Sequence, residues 1–207
     1  MNFEAADRAL RDMNKRNLRA FDRLKTLKFD ELNVMGEVGK VYDDSVRLAR
    51  KRYQQIAYEA FLAALIEAMI AEAKARELAE DSITEDWVLD MLEEYDPVTL
   101  YQFFPEVERK KQRTVEAIIA SHNKSEVIDR ALRLWTQQVA HYADKSVDEA
   151  TLDGYKEAGV KKIRWVTERD DRVCDECRKR DGKTYTIDKI PPRPHYRCRC
   201  TWTPVLD

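Results

Sequence analysis

CDECRKRDGKTYTIDKIPPRPHYRCRC, residues 174–200, is the stretch on which the reading of this chain turns. All four cysteines of the 207 residues lie in it, as Cys174, Cys177, Cys198 and Cys200, with His195 close by. The pattern Cys-x2-Cys-x20-Cys-x-Cys has the ligand types and spacing of a structural zinc site. The amino terminus, MNFEAADRALRDMNKRNLRA, has no apolar signal-peptide core. A chain made in reducing conditions uses clustered cysteines for metal or redox chemistry rather than for disulfides.

Strand periodicity of two puts Cys198, Cys200 and Trp202 on one face, and two intervening residues let Cys174 and Cys177 point inward from a tight turn. Five donors compete for four positions. The reading takes the four cysteines, with His195 in place of Cys200 as the alternative. Four thiolates leave no open position for water, so the zinc is structural. A tail of about 45 residues is near the size at which a hydrophobic core alone fails, and metal binding adds folding free energy.

Upstream of this cluster the alternation of Ile163 and Trp165 against Arg164 and Val166 predicts a strand. Asp181 and Gly182 mark a turn before a short strand over 184–187, IPPRP at 190–194 is a stiff connector, and a last strand is expected over 197–203. The change of period after Gly159 divides the chain into a helical body, 1–159, and a zinc module, 160–207.

The body reads as helices. Residues 4–27 carry Leu10, Met13, Leu18, Phe21 and Leu24 on one side, and two glycines within 33–39 mark a break. Residues 40–80 hold no glycine or proline, which permits one long helix. Its apolar part, 56–71, contains Glu59 and Glu67 and is too short for a membrane span, so it is a core helix, or else a face for homo-oligomers. Ser82 with Glu85 signals a capped helix carrying Trp87, Val88, Met91 and Leu92. The aromatic-rich residues 95–110 read as a packed connection, followed by helices over 106–121 and 125–143. Ser146 with Glu149 signals a further helix start, and Gly159 its end. The fold class is therefore mainly α, a long-helix body followed by a small zinc-stapled β-rich (α+β) module.

Residues 160–207 contain 13 Lys and Arg against 8 Asp and Glu, whereas the whole chain has a net charge of −2. Lys161, Lys162, Arg178, Lys179, Arg180, Arg193, Arg197 and Arg199 are the candidates for phosphate contacts, although zinc-bound thiolates offset part of that charge. The deaminase, metalloprotease and phosphate-loop signatures are absent. A zinc-dependent nuclease or hydrolase with His195 as base is the residual enzyme reading, and the expectation is that the protein is not an enzyme.

The runs AGVKKIRWVTERDDRVCDECRKRDGKTYTI and PPRPHYRCRCTWTPV resemble the carboxyl-terminal signature of the phage Mu F-like family of minor head proteins, also called phage head morphogenesis proteins. Trp165, Asp170, Cys174, Cys177, Asp181, Gly182, the prolines, His195, Cys198, Arg199 and Cys200 carry the resemblance. Residues 93–118 and 135–150 resemble the helical part of such proteins. The resemblance implies a low-copy virion protein, made in the host cytoplasm and retained in the head. It implies contacts with the portal protein and the procapsid interior, support of head assembly and DNA ejection, and in some relatives binding of double-stranded DNA.

Overall fold

The computed structural model describes residues 4–28, 33–75, 99–168, 170–195 and 198–206. Four helices come first: α1 (Glu4–Lys25), α2 (Val34–Ala75), α3 (Thr99–Ala120) and α4 (Lys124–Glu157). Then follow β1 (Lys162–Val166), the short helix α5 (Asp175–Arg180), β2 (Thr184–Thr186), a 3-10 turn (Ile187–Lys189) and β3 (Thr201–Val205). The fold is mainly helical with a small carboxyl-terminal sheet, as expected. The helix signalled by Ser82 and Glu85 lies outside the described residues.

The chain forms two compact units, one of residues 3–56 and 96–146, the other of 1–2, 57–95 and 147–207. The first is held by an aromatic chain. Phe21 meets Tyr42, Tyr42 meets Trp135, and Trp135 stacks on Phe103, with ring centroids 5.0–5.7 Å apart. Phe103 also meets Tyr53 and Tyr142 edge-on. Edge-to-face and offset stacking are the favoured aromatic geometries and add to area burial.

Three expectations change here. The buried stripe of α1 is Leu10, Met13, Asn17, Phe21 and Leu24, while Leu18 is 48% exposed. At 3.6 residues per turn a residue seven positions after Leu10 lies within about 20° of it, whereas one eight positions on is about 80° away, at the edge of the stripe. Asn17 is accommodated because it accepts a hydrogen bond from Ser45, whose hydroxyl in turn accepts one from the Trp135 indole. The glycines expected to break the chain at 33–39 lie inside α2, where burial of Val34, Val38 and Tyr42 at fourfold spacing outweighs their low helix propensity. The aromatic connection is itself helical from Thr99, with Pro105 inside the helix.

α4 is likewise one helix rather than two. Asn123 caps it, accepting from the Glu126 amide. The Ser146 hydroxyl donates back to the Tyr142 carbonyl four residues earlier instead of starting a new helix. Its end is as expected: Gly159 has φ +78°, and the Val160 amide reaches the Tyr155 carbonyl at 2.9 Å, a Schellman-type closure.

In the second unit the sheet has the order β2-β1-β3, antiparallel throughout, with Ile163 opposite Tyr185 and Pro204, and Trp165 opposite Trp202. One face of it, Ile163, Trp165 and Trp202, packs in a single core with Ala64, Ala68, Tyr155, Val173, Cys177, Ile187, Cys198 and Cys200. The apolar run of α2 contributes Ala64 and Ala68 to this core, while its Ala57, Phe61 and Leu65 form a second cluster with Ala150. No described helix is long and apolar enough to cross a membrane. β2 ends one residue early, because Ile187 turns inward to open the 3-10 turn. The last strand begins at Thr201, so Cys198 and Cys200 precede it rather than lie in it.

Gly154 marks where α4 approaches α2 most closely. A Cβ there would stand 2.5 Å from the Phe61 carbonyl oxygen and 3.0 Å from the Ala64 Cβ. Gly39, inside α2, has open space around it. Gly39→Ala should therefore stabilise the protein by about 0.5–1 kcal/mol through helix propensity. Gly154→Ala should destabilise it by about 1–3 kcal/mol despite the same propensity gain. Urea unfolding midpoints moving in opposite directions check the pair; equal shifts would contradict the close approach.

Candidate metal centre

Besides its pairing with β2 and β3, β1 is bonded at its end to the turn that closes α5. Asp181 accepts from the Thr167 amide at 2.9 Å, and the Gly182 amide donates to the Trp165 carbonyl at 2.8 Å, with φ +74° at the glycine. This pins α5 against β1 and fixes where Cys177 stands. Cys174 and Cys177, expected in a turn, occupy the N-cap and the first helical turn of α5. The spacing serves the same purpose: the Cys177 amide donates to the Cys174 sulfur at 3.4 Å.

Cys177 is the common member of two donor groups. Cys174, Cys177 and His195 place their ligand atoms within 4.8 Å of one another, as do Cys177, Cys198 and Cys200. The Cys177 Sγ is 3.4 Å from the Cys198 Sγ and 3.7 Å from the His195 Nε2. A disulfide would need about 2.05 Å, and all four cysteines are free. Zinc–sulfur bonds of about 2.3 Å make the edge of a tetrahedral site about 3.8 Å, close to these separations. The recess they line is about 50 Å³, enough for an ion.

The donor set fits a soft or borderline divalent cation. Donation from the Cys177 backbone draws the Cys174 thiol below its ordinary value, while burial, with crowding by neighbouring thiols, pushes Cys177 far up. Burial pushes Cys200 up as well. Packed, buried thiols resist ionising on their own, and a divalent ion supplies the charge that displaces their protons. The Trp165 indole N–H is buried beside them and favours the ionised form of the Cys200 thiol, against the effect of burial. His195 is solvent-exposed at the rim.

Arg193 carries the second half of the arrangement, and its role was not legible in the sequence. Its guanidinium forks onto both carboxylate oxygens of Asp148 from α4. It also donates to the carbonyls of Cys198 at 3.0 Å and Cys200 at 2.6 Å, and lies 4.7 Å over the Trp202 ring. The Arg193 side chain is 14% exposed and is held in this clamp. Burial pushes the Asp148 carboxyl up and the Arg193 guanidinium opposes that shift. The proline on each side of Arg193 was a signal of stiffness; nothing in the sequence pointed to Asp148.

The other candidate phosphate contacts are dispersed. Arg180 donates to the Pro192 carbonyl and lies over Trp165, Arg199 pairs with Asp170 at 2.8 Å, and Lys179 pairs with Glu176 at 2.7 Å. Lys161, Lys162 and Arg178 are exposed. Arg197 lies outside the described residues.

Residues 106–203, a little under half of the chain, match a family model described as phage Mu protein F like protein. The span takes in every member of the cysteine cluster. Neither the curated proteins nor the solved structures contain a significant match.

Asp148→Asn would strand a buried guanidinium, at a cost on the order of 3 kcal/mol. Arg193→Lys should cost nearly as much, because an ammonium cannot serve a carboxylate and two carbonyls in one plane. Both are read from urea unfolding; wild-type stability in either variant would contradict the clamp.

Proposed function

We propose, from a segment at 106–203 that belongs to the phage Mu protein F-like family, that the protein is a head morphogenesis protein with a structural zinc centre. The observation that carries this reading is a coincidence of two kinds of finding. The residues that bear the family signature, Cys174, Cys177, His195, Cys198 and Cys200, are the ones gathered within metal-ligand distance. Zinc held by the four cysteines would be closed to water, with His195 beside them as the alternative fourth ligand. Its chemistry there is to neutralise and tie the thiolates. The family is one of structural head proteins, and no catalytic step is assigned to the centre.

On this reading residues 160–207 act as a zinc-stapled module. The helical body, 1–159, provides the protein contacts: with the portal protein at its vertex and with the interior of the procapsid. The protein would then be a low-copy component of the virion head that supports assembly and DNA delivery. Of the candidates for contact with packaged double-stranded DNA, Lys161, Lys162 and Arg178 are exposed, whereas Arg193 is buried in its clamp. Self-association through 56–71 would have to use Leu62, Ile66 and Ile70, which are half-buried, because Ala57, Phe61, Ala64, Leu65 and Ala68 are in the core.

Co-expression with the cognate portal protein, followed by sizing, tests the assignment. The protein should co-migrate with portal or procapsid. Elution solely as a free species beside assembled portal would contradict it.

A further inference from the structure

Between α3 and α4, within the first compact unit, lies a cavity of about 310 Å³ that the metal centre does not involve. Its apolar lining includes Tyr42, Ala117, Ala131 and Leu134, with the Thr114 hydroxyl bonded to the Tyr42 hydroxyl at 2.8 Å. Two facing alanines leave room that larger side chains would have filled. Leu134 stands at the opening, 42% exposed.

Lys110, Arg113 and Arg130 also line this cavity. None of the three makes an ion pair among the described residues, whereas Arg109 and Lys111 on the same helix do. The reason is visible on the same helices, where the carboxylates are engaged elsewhere: Glu106 with Arg109, Glu108 with Lys111, Glu116 with Gln112, Glu126 with Asn123 and Asp129 with Lys25. Burial, joined by the nearby Arg113, draws the Lys110 ammonium below its usual value, and Glu106 offsets only part of this. Three cations around an apolar concavity are therefore without an ion-pair partner among the described residues.

We propose that this cavity docks an acidic, apolar peptide segment of a partner protein, with one bulky apolar side chain seated between Ala117 and Ala131 and flanking carboxylates paired with Lys110, Arg113 and Arg130. Charge complementarity selects the acidic flanks, and the apolar concavity selects a side chain over a phosphate backbone, which would meet a flat or ridged cationic face equally well. The inference extends the reading that the helical body makes the protein contacts, by stating the chemistry of what it contacts.

The test measures fluorescence anisotropy on the full chain with a labelled peptide whose Leu-Trp pair is flanked by glutamates, the same peptide with glutamines, and a labelled DNA duplex. The acidic peptide should bind and the glutamine peptide should not. Charge reversal in Arg113→Glu or Arg130→Glu should weaken binding about tenfold. Ala117→Leu, on an exposed position of α3 and compatible with helix, should abolish it while every charge is kept. Circular dichroism confirms that each variant is folded. Absence of binding by the acidic peptide overturns the proposal, as does binding indifferent to Ala117→Leu. Duplex binding that follows the charges but not Ala117→Leu would show a phosphate patch instead and also overturn it. Because no portal protein is present, failure here leaves the head assignment standing, and failure of portal co-migration leaves this result intact.

Discussion

The carboxyl-terminal part of this protein depends on bringing thiols together that would otherwise repel one another as they ionise. Cys177 is where this happens: buried in the core beside Trp165 and Trp202, it lies within ligand distance of donors from both sides of the intervening loop. Hydrophobic packing positions these sulfurs, and the same burial makes their charged forms costly. A divalent ion bound there would resolve the conflict, turning an unfavourable cluster into a cross-link between α5 and the strand-leading segment at 198–200.

Polar contacts tie this thiol cluster to the helices around it. Arg193 holds the two carbonyls on either side of Arg199, and Asp148 holds Arg193, so the ligand segment is tied to α4 by charge as well as by packing. Tyr155, one helix turn from Gly159, donates toward both Glu67 and the Trp202 carbonyl, and burial holds its hydroxyl well above its usual value. α2, α4 and β3 therefore share polar contacts beside the Gly154 approach. A buried network of this kind is favourable only when its members are satisfied together. That explains why Arg193 is better read as a structural residue than as one more surface cation.

Local chemistry made much of this legible. Cysteine spacing pointed to the metal cluster, the alternation at 163–166 to β1, Asp181 and Gly182 to the turn, and Gly159 to the end of α4, because each depends on neighbours in sequence. The misread elements depend on distant partners. Gly36 and Gly39 signal a break, yet Val34, Val38 and Tyr42 are buried along the same helix. Ser146 looked like a cap, yet its hydroxyl is satisfied by Tyr142. Leu18 and Asn17 exchanged roles because a buried Asn becomes acceptable only once Ser45 and Trp135 supply a partner chain. Arg193 was grouped with the phosphate-binding residues for the same reason: its carboxylate is 45 positions away. The compact units also mix distant stretches of the chain, 57–95 with 147–207 and 3–56 with 96–146.

The claim on which the account rests is that a bound metal ion holds this carboxyl-terminal architecture. Hydrogen exchange of the full chain, followed by mass spectrometry before and after exhaustive chelation, measures it most directly. The account predicts that amides over 160–206 lose protection when the metal is removed and regain it when zinc is restored, while amides of α1 and α3 keep theirs. Undiminished protection at 174–206 in protein verified to be metal-free would contradict it.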